Sequence, residues 1–189
     1  MGVERAGGVF EAQIREWAAA RGYGLAIAGL GVVEEARKKL EERRSAGMID
    51  AKFFEENLTK FRYLEGTGIT KPECVVMVAV PSPISVLPVT IGDRRIDALI
   101  PPTYVRYNAM FVNVLEDMKE NVLGRSAEAA ILKIPLKSHA VHMGLASYGR
   151  NNITYVTGLG SSYQLCGYIV GSVEGQIEGC AIAEGRETM

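Results

Sequence analysis

Apolar residues at helical and strand spacing predict an alternating order of helices and strands. A first helix over about 8–21 is predicted by four apolar residues that share one face: Phe10, Ile14, Trp17 and Ala18. A short apolar run at 24–30 predicts a buried strand. The charged segment 33–44 predicts a second helix with a solvated face, because mixed charges at helical spacing support one another in water.

The clearest strand signal is the run CVVMVAV at 74–80, which is apolar throughout. Because polar residues do not alternate along it, this run predicts a central strand covered on both faces, with Met77 and Val78 both buried. Two later runs, 86–91 and 96–100, flank the sequence Gly-Asp-Arg-Arg and predict a β-hairpin.

Further helices are predicted on either side of these strands. Asp50 is a good N-cap for a helix over 51–64, whose aromatic side chains are expected in the core rather than against a flat cofactor. Another helix begins at about Tyr104 and ends before Gly124, with Val112 among the residues of its predicted buried face.

The last part of the chain adds a strand at 128–131, a short helix at 136–143 and a final strand at 163–170. This order of elements is typical of an α+β fold, here an α/β sandwich in which helices flank a mixed sheet. A length of 189 residues predicts a single domain over 1–189.

The segment 134–162 concentrates glycine, asparagine, histidine and hydroxyl side chains. Gly144 stands where the short helix would end, and a polar loop rich in glycine follows it. Its donors and acceptors suit an anionic or amide-rich ligand. The same residue types are also required by tight turns, so a cofactor site and a structural loop are both consistent with the sequence.

The string PLKSHAVHMGLASYGRNNITY, followed by GLGS, resembles the pattern PxKxxAxxxGLxxYGRNNxxYxxxxGS of epoxyqueuosine reductases and reductive-dehalogenase-like proteins. The PPTY at 101–104 resembles the same family. The resemblance implies a nitroreductase-like domain that binds cobalamin. The implied cofactor-binding residues are Tyr104, Tyr107, Tyr148, Arg150, Asn151, Asn152, Gly160 and Ser161.

Two departures from the family affect the expected chemistry. Members follow this domain with a ferredoxin-like module whose CxxCxxCxxxCP runs bind two 4Fe–4S clusters. This chain has only Cys74, Cys166 and Cys180, so free thiols and no iron–sulfur cluster are expected. The family's proton donor, an aspartate or a tyrosine, precedes the PLKSHA-like segment, whereas residues 129–132 are entirely apolar here.

Five polar residues of the segment, including Tyr148 and Arg150 of the implied site, can also be interpreted from their own chemistry. His139 and His142 are three residues apart, a spacing that can serve a metal, but no third ligand is evident nearby and no metal is assigned. Lys137 and Tyr148 both have side chains that can donate a proton to a reactive centre. Equally, Lys137 suits an ion-pair partner and Tyr148 suits a residue in the wall of the site. Arg150 has the strongest functional claim, because a guanidinium fork suits phosphate or amide oxygens.

Composition limits the binding partners and the cellular location that we expect. A net charge of −1 gives no reason to expect a nucleic-acid partner. The longest apolar run is far shorter than the roughly 20 residues that span a bilayer, so no membrane partner is expected. Scattered cysteines and an N-terminus without a signal-type apolar segment predict a cytoplasmic protein.

Three functions remain open at this point. One is a cobalamin-dependent reductase that takes electrons from a separate ferredoxin-like protein, with the corrinoid performing the chemistry. Another is a non-catalytic corrinoid-binding or carrier protein. The last is a flavin-binding protein of the same broad fold, with FMN as its cofactor, because fold does not dictate the cofactor.

Overall fold

The computed structural model describes residues 7–82, 84–100 and 107–171. Five α-helices lie within these ranges: α1 (Gly7–Ala20), α2 (Gly31–Ser45), α3 (Ala51–Phe53), α4 (Tyr107–Met118) and α5 (Leu136–His142). Two of them continue as short π-helical segments, Phe54–Leu58 after α3 and Lys119–Leu123 after α4. None of the helices in these ranges is long and apolar enough to cross a membrane.

Eight strands lie within the same ranges. They are β1 (Gly24–Gly29), β2 (Pro72–Pro81), β3 (Ser85–Ile91), β4 (Arg94–Ile100), β5 (Ala129–Ile131), β6 (Ala146–Tyr148), β7 (Thr154–Val156) and β8 (Tyr163–Gly171). Four of them form the main sheet in the order β1-β2-β8-β5, while β3–β4 and β6–β7 form separate two-stranded sheets. The fold is therefore α+β, as the sequence predicts.

The main sheet is antiparallel at every pairing of the described strands, so the prediction of a mixed sheet is wrong. The apolar pattern of β2 could not show this, because a strand covered on both faces is equally apolar in a parallel and an antiparallel sheet. Within the sheet, Met77 of β2 lies opposite Ala26 of β1 and Gly167 of β8.

Helices cover both faces of the sheet. Even-numbered residues of β2 point into a core shared with α1 and α4, and odd-numbered residues point into a second core shared with α2 and α5. Met77 and Val78 belong to different cores and both side chains are fully buried, which confirms β2 as a central strand. Successive side chains of β2 therefore alternate between two apolar cores, and for this reason no polar residue appears along the run.

The α1 layer is fixed to α4 by a polar contact at its edge. The indole N–H of Trp17 donates to Asp117 Oδ2 at 3.0 Å, and the Arg21 guanidinium donates to Asp117 Oδ1 at 2.8 Å. Both charged side chains are about one-third exposed, so this pair mainly orients the two helices and contributes modestly to stability.

Two helix predictions need correction. The Asp50 carboxylate accepts from the Phe53 N–H at 2.8 Å, which confirms the N-cap, but the helix ends at Leu58 instead of Leu64. It ends there because the following backbone pairs elsewhere, with Arg62 N donating to Lys133 O at 2.9 Å. Within α4, Val112 is exposed instead of buried, since the buried face is formed by Phe111, Val114, Leu115 and Met118.

Candidate functional site

The GRNN sequence forms the turn of a small β-hairpin made by β6 and β7, two strands that the sequence pattern did not predict. Gly144, with φ of +73°, ends the preceding helix α5. The hairpin then pairs Ala146 with Val156 and Tyr148 with Thr154. Five residues, 149–153, therefore connect the strands, and Arg150, Asn151 and Asn152 are all exposed at the tip.

Hydrogen bonds of Asn151 and the backbone conformation of Asn152 give both asparagines structural roles in the turn. The Asn151 carbonyl oxygen Oδ1 accepts from Ile153 N at 3.2 Å, and its Nδ2 donates to the Tyr155 hydroxyl at 3.3 Å. Asn152 adopts a left-handed φ of +59°, which asparagine tolerates better than most residues. Tight-turn chemistry therefore accounts for these two residues without a ligand.

Gly149 is required by the packing of the hairpin. A Cβ placed there would stand 2.6 Å from the Tyr155 ring, well inside van der Waals contact. We expect Gly149→Ala to lower the free energy of unfolding by about 1–3 kcal/mol, the usual cost of overpacking. Urea titration would measure it, and the same change in a Tyr155→Ala background should cost less, because only the 2.9 Å approach to Asn151 Oδ1 would remain. Equal losses in both backgrounds would show that the ring is not the cause.

The hairpin also presents donors that the protein itself does not use. Within the described residues, the side chains of Arg150, Asn152 and Ser161 make no hydrogen bond or ion pair, and all three are exposed. Gly160 and Ser161 lie at the base of the hairpin, at the end opposite this tip, because Val156, which pairs with Ala146 there, donates its N–H to Gly160 O at 2.9 Å. Arg150 and Asn152 at the tip, and Ser161 at the base, can therefore donate to an external acceptor without breaking an internal bond.

Two contacts fix the hairpin to the main sheet. The Tyr163 hydroxyl donates to Thr154 Oγ1 at 2.6 Å, joining β8 to β7. A Cβ at Gly24 would stand 3.1 Å from Val156 and 3.1 Å from Ala79, so the hairpin packs closely on the ends of β1 and β2. The exposed tip is thus held on a rigid base.

A second feature is a cavity of about 440 Å³, here called the Tyr107 cavity. Its described lining combines apolar walls with a few polar groups: Lys60, Phe61, Tyr107, Asn108, Phe111, Ile131, Leu132, Lys133, Ile134 and Leu136. The Tyr107 ring packs edge-on against Phe111, with 5.1 Å between ring centroids. Partial burial, and then the neighbouring Cys166, raise the pKa of the Tyr107 hydroxyl, so this group keeps its proton at neutral pH.

The cavity contains the stretch in which the family resemblance places a catalytic acid. Ile131 and Leu132 line it, and Leu132 is fully buried, so the wall is apolar at this point. Lys60 and Lys133 are instead among the residues that line the cavity. Sequence reasoning missed both lysines. The only available signal was the position of Lys133 just before the PLKSHA-like segment, and Lys60 is brought near by the backbone pairing of Arg62 with Lys133.

The structure groups the sequence-predicted site residues in two places. Tyr148, Arg150, Asn151 and Asn152 share the hairpin, with Gly160 and Ser161 in the adjoining turn. Tyr107 lies in the wall of the Tyr107 cavity, whose described lining includes none of the hairpin residues. Tyr104 and the rest of PPTY lie outside the described residues. Lys137 is exposed on α5 and Tyr148 is 47% exposed, which places neither in an enclosed site.

The histidines and cysteines do not form a metal site in the described part of the chain. No group of three or more His, Cys, Asp or Glu side chains is close enough there to hold an ion. His142 Nε2 lies 3.1 Å from Glu35, and His139 Nδ1 lies 2.9 Å from the Pro135 carbonyl. Cys166 is a buried free thiol, Cys74 is buried in the same core, and Cys180 lies outside the described residues.

Comparison with known proteins gives matches at the level of structure. No protein-family model and no curated protein matches the chain. An epoxyqueuosine reductase from Streptococcus thermophilus matches with a TM-score of 0.60 and 15% identity, over 92% of this chain and 48% of that one. One from Bacillus subtilis, with its catalytic loop swung out of the active site, matches with a TM-score of 0.53 and 16% identity, over 93% and 49%.

A selenomethionine-labelled epoxyqueuosine reductase matches similarly, with a TM-score of 0.55 and 15% identity over 92% of this chain. This chain spans about half the length of the solved structures that it matches. The structural match confirms the resemblance predicted from the PLKSHA and GRNN segments. At this identity, what is shared is the fold.

Proposed function

We propose that this chain is a cobalamin-binding domain of reductase type, nitroreductase-like in fold, which takes electrons from a separate ferredoxin-like protein. The observation that carries the proposal is the structural match to half of an epoxyqueuosine reductase chain, combined with the family-like GRNN string at an exposed, rigidly supported hairpin tip. The choice of cobalamin as the cofactor rests on the sequence resemblance, which implies it for this domain.

The side chains present fit such a cofactor. A corrinoid carries peripheral amides, and the hairpin offers the unused donors of Arg150 and Asn152 at its tip and of Ser161 near its base. These three residues would hold the cofactor's edge. When bound, cobalamin would supply the redox chemistry, and this chain would orient it and exclude water. Within the Tyr107 cavity, the Tyr107 hydroxyl keeps its proton at neutral pH and can donate it to a hydrogen bond.

A carrier function is the second candidate, and one observation favours it. The cavity wall formed by Ile131 and Leu132 lacks a carboxyl group at the place where the resemblance implies the catalytic acid. A binding domain without that acid would hold or deliver the cofactor rather than turn over a substrate. Electron delivery from a reduced ferredoxin to the bound cofactor would separate the two, because a carrier requires none.

Titration with hydroxocobalamin, followed by visible absorbance, tests the proposal directly. We expect Arg150→Ala to weaken binding about tenfold to a hundredfold, corresponding to about 1.5–3 kcal/mol for a hydrogen bond from a charged group. Folding should stay nearly unchanged, since Arg150 is exposed and makes no bond within the described residues. Arg15→Ala is the matched control, because Arg15 is an exposed arginine on α1, outside the hairpin.

Other outcomes would identify the alternatives. Equal affinity of both variants and the parent protein would show that the hairpin tip does not bind the corrinoid. Binding of FMN with no binding of hydroxocobalamin would indicate the flavoprotein alternative. Binding of neither cofactor would refute the proposed function and leave only the shared fold.

A further inference from the structure

A separate cavity of about 310 Å³ lies between α2 and α5 and is here called the His139 cavity. Its volume is at the lower end of the range for small-molecule sites. Four basic side chains are among its described lining residues: Lys39, Arg43, His139 and His142. No carboxylate is among those residues, and none of them also lines the Tyr107 cavity.

His139 is the buried polar group of this cavity. The residue is only 1% exposed, and its Nδ1 lies 2.9 Å from the Pro135 carbonyl oxygen. A carbonyl oxygen can only accept, so Nδ1 carries the proton and donates it. The opposite ring nitrogen, Nε2, is therefore a lone-pair acceptor, and it has no hydrogen-bond partner among the described residues.

A buried acceptor without a partner is uncommon in folded proteins, because its lost hydration is not replaced. Because Nδ1 bonds back to the first turn of α5, Nε2 is on the ring edge that points away from this bond. Tyr63, another lining residue, packs near this ring with 6.4 Å between centroids. Burial lowers the pKa of His139, so the imidazole stays neutral and keeps its acceptor at neutral pH.

The positive charges around the cavity differ in how far they are already paired. Glu35 accepts from Lys39 at 2.7 Å and lies 3.1 Å from His142 Nε2. The Arg43 side chain makes no ion pair or hydrogen bond within the described residues. The cavity therefore combines one unused cation, a second cation beside it and a buried neutral acceptor.

We propose that the His139 cavity binds a small oxyanion that carries its own O–H group, such as hydrogenphosphate or a short hydroxy acid. The ligand's O–H would donate to His139 Nε2, and its charged oxygens would pair with Arg43 and Lys39. An oxyanion without an O–H would satisfy the cations but leave the buried acceptor without a donor. This inference does not depend on corrinoid binding, because it uses different residues.

Two matched pairs of probes test the role of the acceptor in the unaltered protein. Hydrogenphosphate and sulfate have the same shape and charge at about pH 8, but only the former has an O–H, and His139 is neutral there. Lactate and propionate differ by one hydroxyl in the same way. Calorimetry and the His139 ring resonances in NMR should show at least about tenfold tighter binding of the hydroxyl-bearing member, since a site built to accept a donor rejects analogues without one. Comparing the two pairs tells phosphate from hydroxy acid.

A surface substitution tests the charge. Arg43→Ala should weaken binding of the preferred probe at least about tenfold, and the variant should fold, because Arg43 is exposed. Lys38→Ala removes one charge from the same helix at a residue that does not line the cavity, so it should change affinity less than about twofold. Equal binding within both probe pairs would overturn the proposal. So would the absence of any change in the His139 resonances with every probe.

Discussion

Replacing Met77 by alanine is expected to lower the free energy of unfolding by about 2–5 kcal/mol, the range for removing a buried methionine from a core. The side chain is fully buried at the centre of β2 and lies in the core that α2 and α5 share with the sheet. Its cross-strand neighbours are Ala26 and Gly167, neither of which can extend to refill the space. Urea titration followed by circular dichroism would measure the loss.

Met48→Ala is the matched control for this substitution. Met48 is 74% exposed, so the same chemical change should alter stability by less than about 0.5 kcal/mol. If the two variants were destabilised equally, the loss would reflect the removal of methionine in general. The assignment of β2 as the centre of the fold would then be wrong.

The sequence predicted those elements whose signals are local. β2 was predicted because seven consecutive apolar residues exclude a solvent-facing side, and α1 because its apolar residues recur on one face. Glycines at 22, 124 and 144 marked helix ends and all have positive φ values. Each of these signals lies within one short segment, so it can be recognised without knowledge of the rest of the fold.

The missed elements depend on contacts between distant segments. β6 and β7 have three residues each, too few for alternation to be recognised, and they form because they pair with each other and pack on Gly24. The π-helical segments shift the helical period. The prediction from regular α-helical spacing therefore made the helix that ends at Leu58 too long. The antiparallel order of the main sheet follows from long-range pairing that no apolar run encodes.

The candidate site was predictable only in part. Residue types indicated a polar turn at the GRNN segment, and the structure places a turn there. The sequence could not show that Asn151 bonds within the turn while Arg150 makes no such bond. It also could not show that Lys60 and Lys133 share a cavity with Tyr107, since that requires the folded positions of three separate segments.

Raising the pH from about 9 to 11 is expected to destabilise the protein by about 2 kcal/mol through one thiol, out of about 3 kcal/mol over its whole titration. Burial raises the pKa of Cys166 from 9.0 to about 11, and each pKa unit corresponds to about 1.4 kcal/mol. In the unfolded chain this thiol ionises at its ordinary pKa, whereas the folded protein keeps the proton. The unfolded state then binds fewer protons, so stability is fully present below about pH 9 and falls as pH rises toward 11.

Tyrosines whose pKa values are raised act in the same direction at higher pH. Burial raises the pKa of Tyr168, whose hydroxyl donates to the Phe111 carbonyl at 3.0 Å, and partial burial raises the pKa values of Tyr23 and Tyr107. Above about pH 10 an unfolded tyrosine ionises, so each of these groups adds to the alkaline loss.

The slope of stability against pH, measured by urea titration at each pH, separates these contributions from simple packing losses. Cys166→Ala should change the level of the curve at neutral pH and reduce its fall between about pH 9 and 10, where less than half of each unfolded phenol is ionised. Tyr168→Phe should reduce the fall above about pH 10, and Tyr148→Phe is the control, because Tyr148 is 47% exposed. If the slope between about pH 9 and 10 were not reduced in Cys166→Ala, another group would be the source of the alkaline loss.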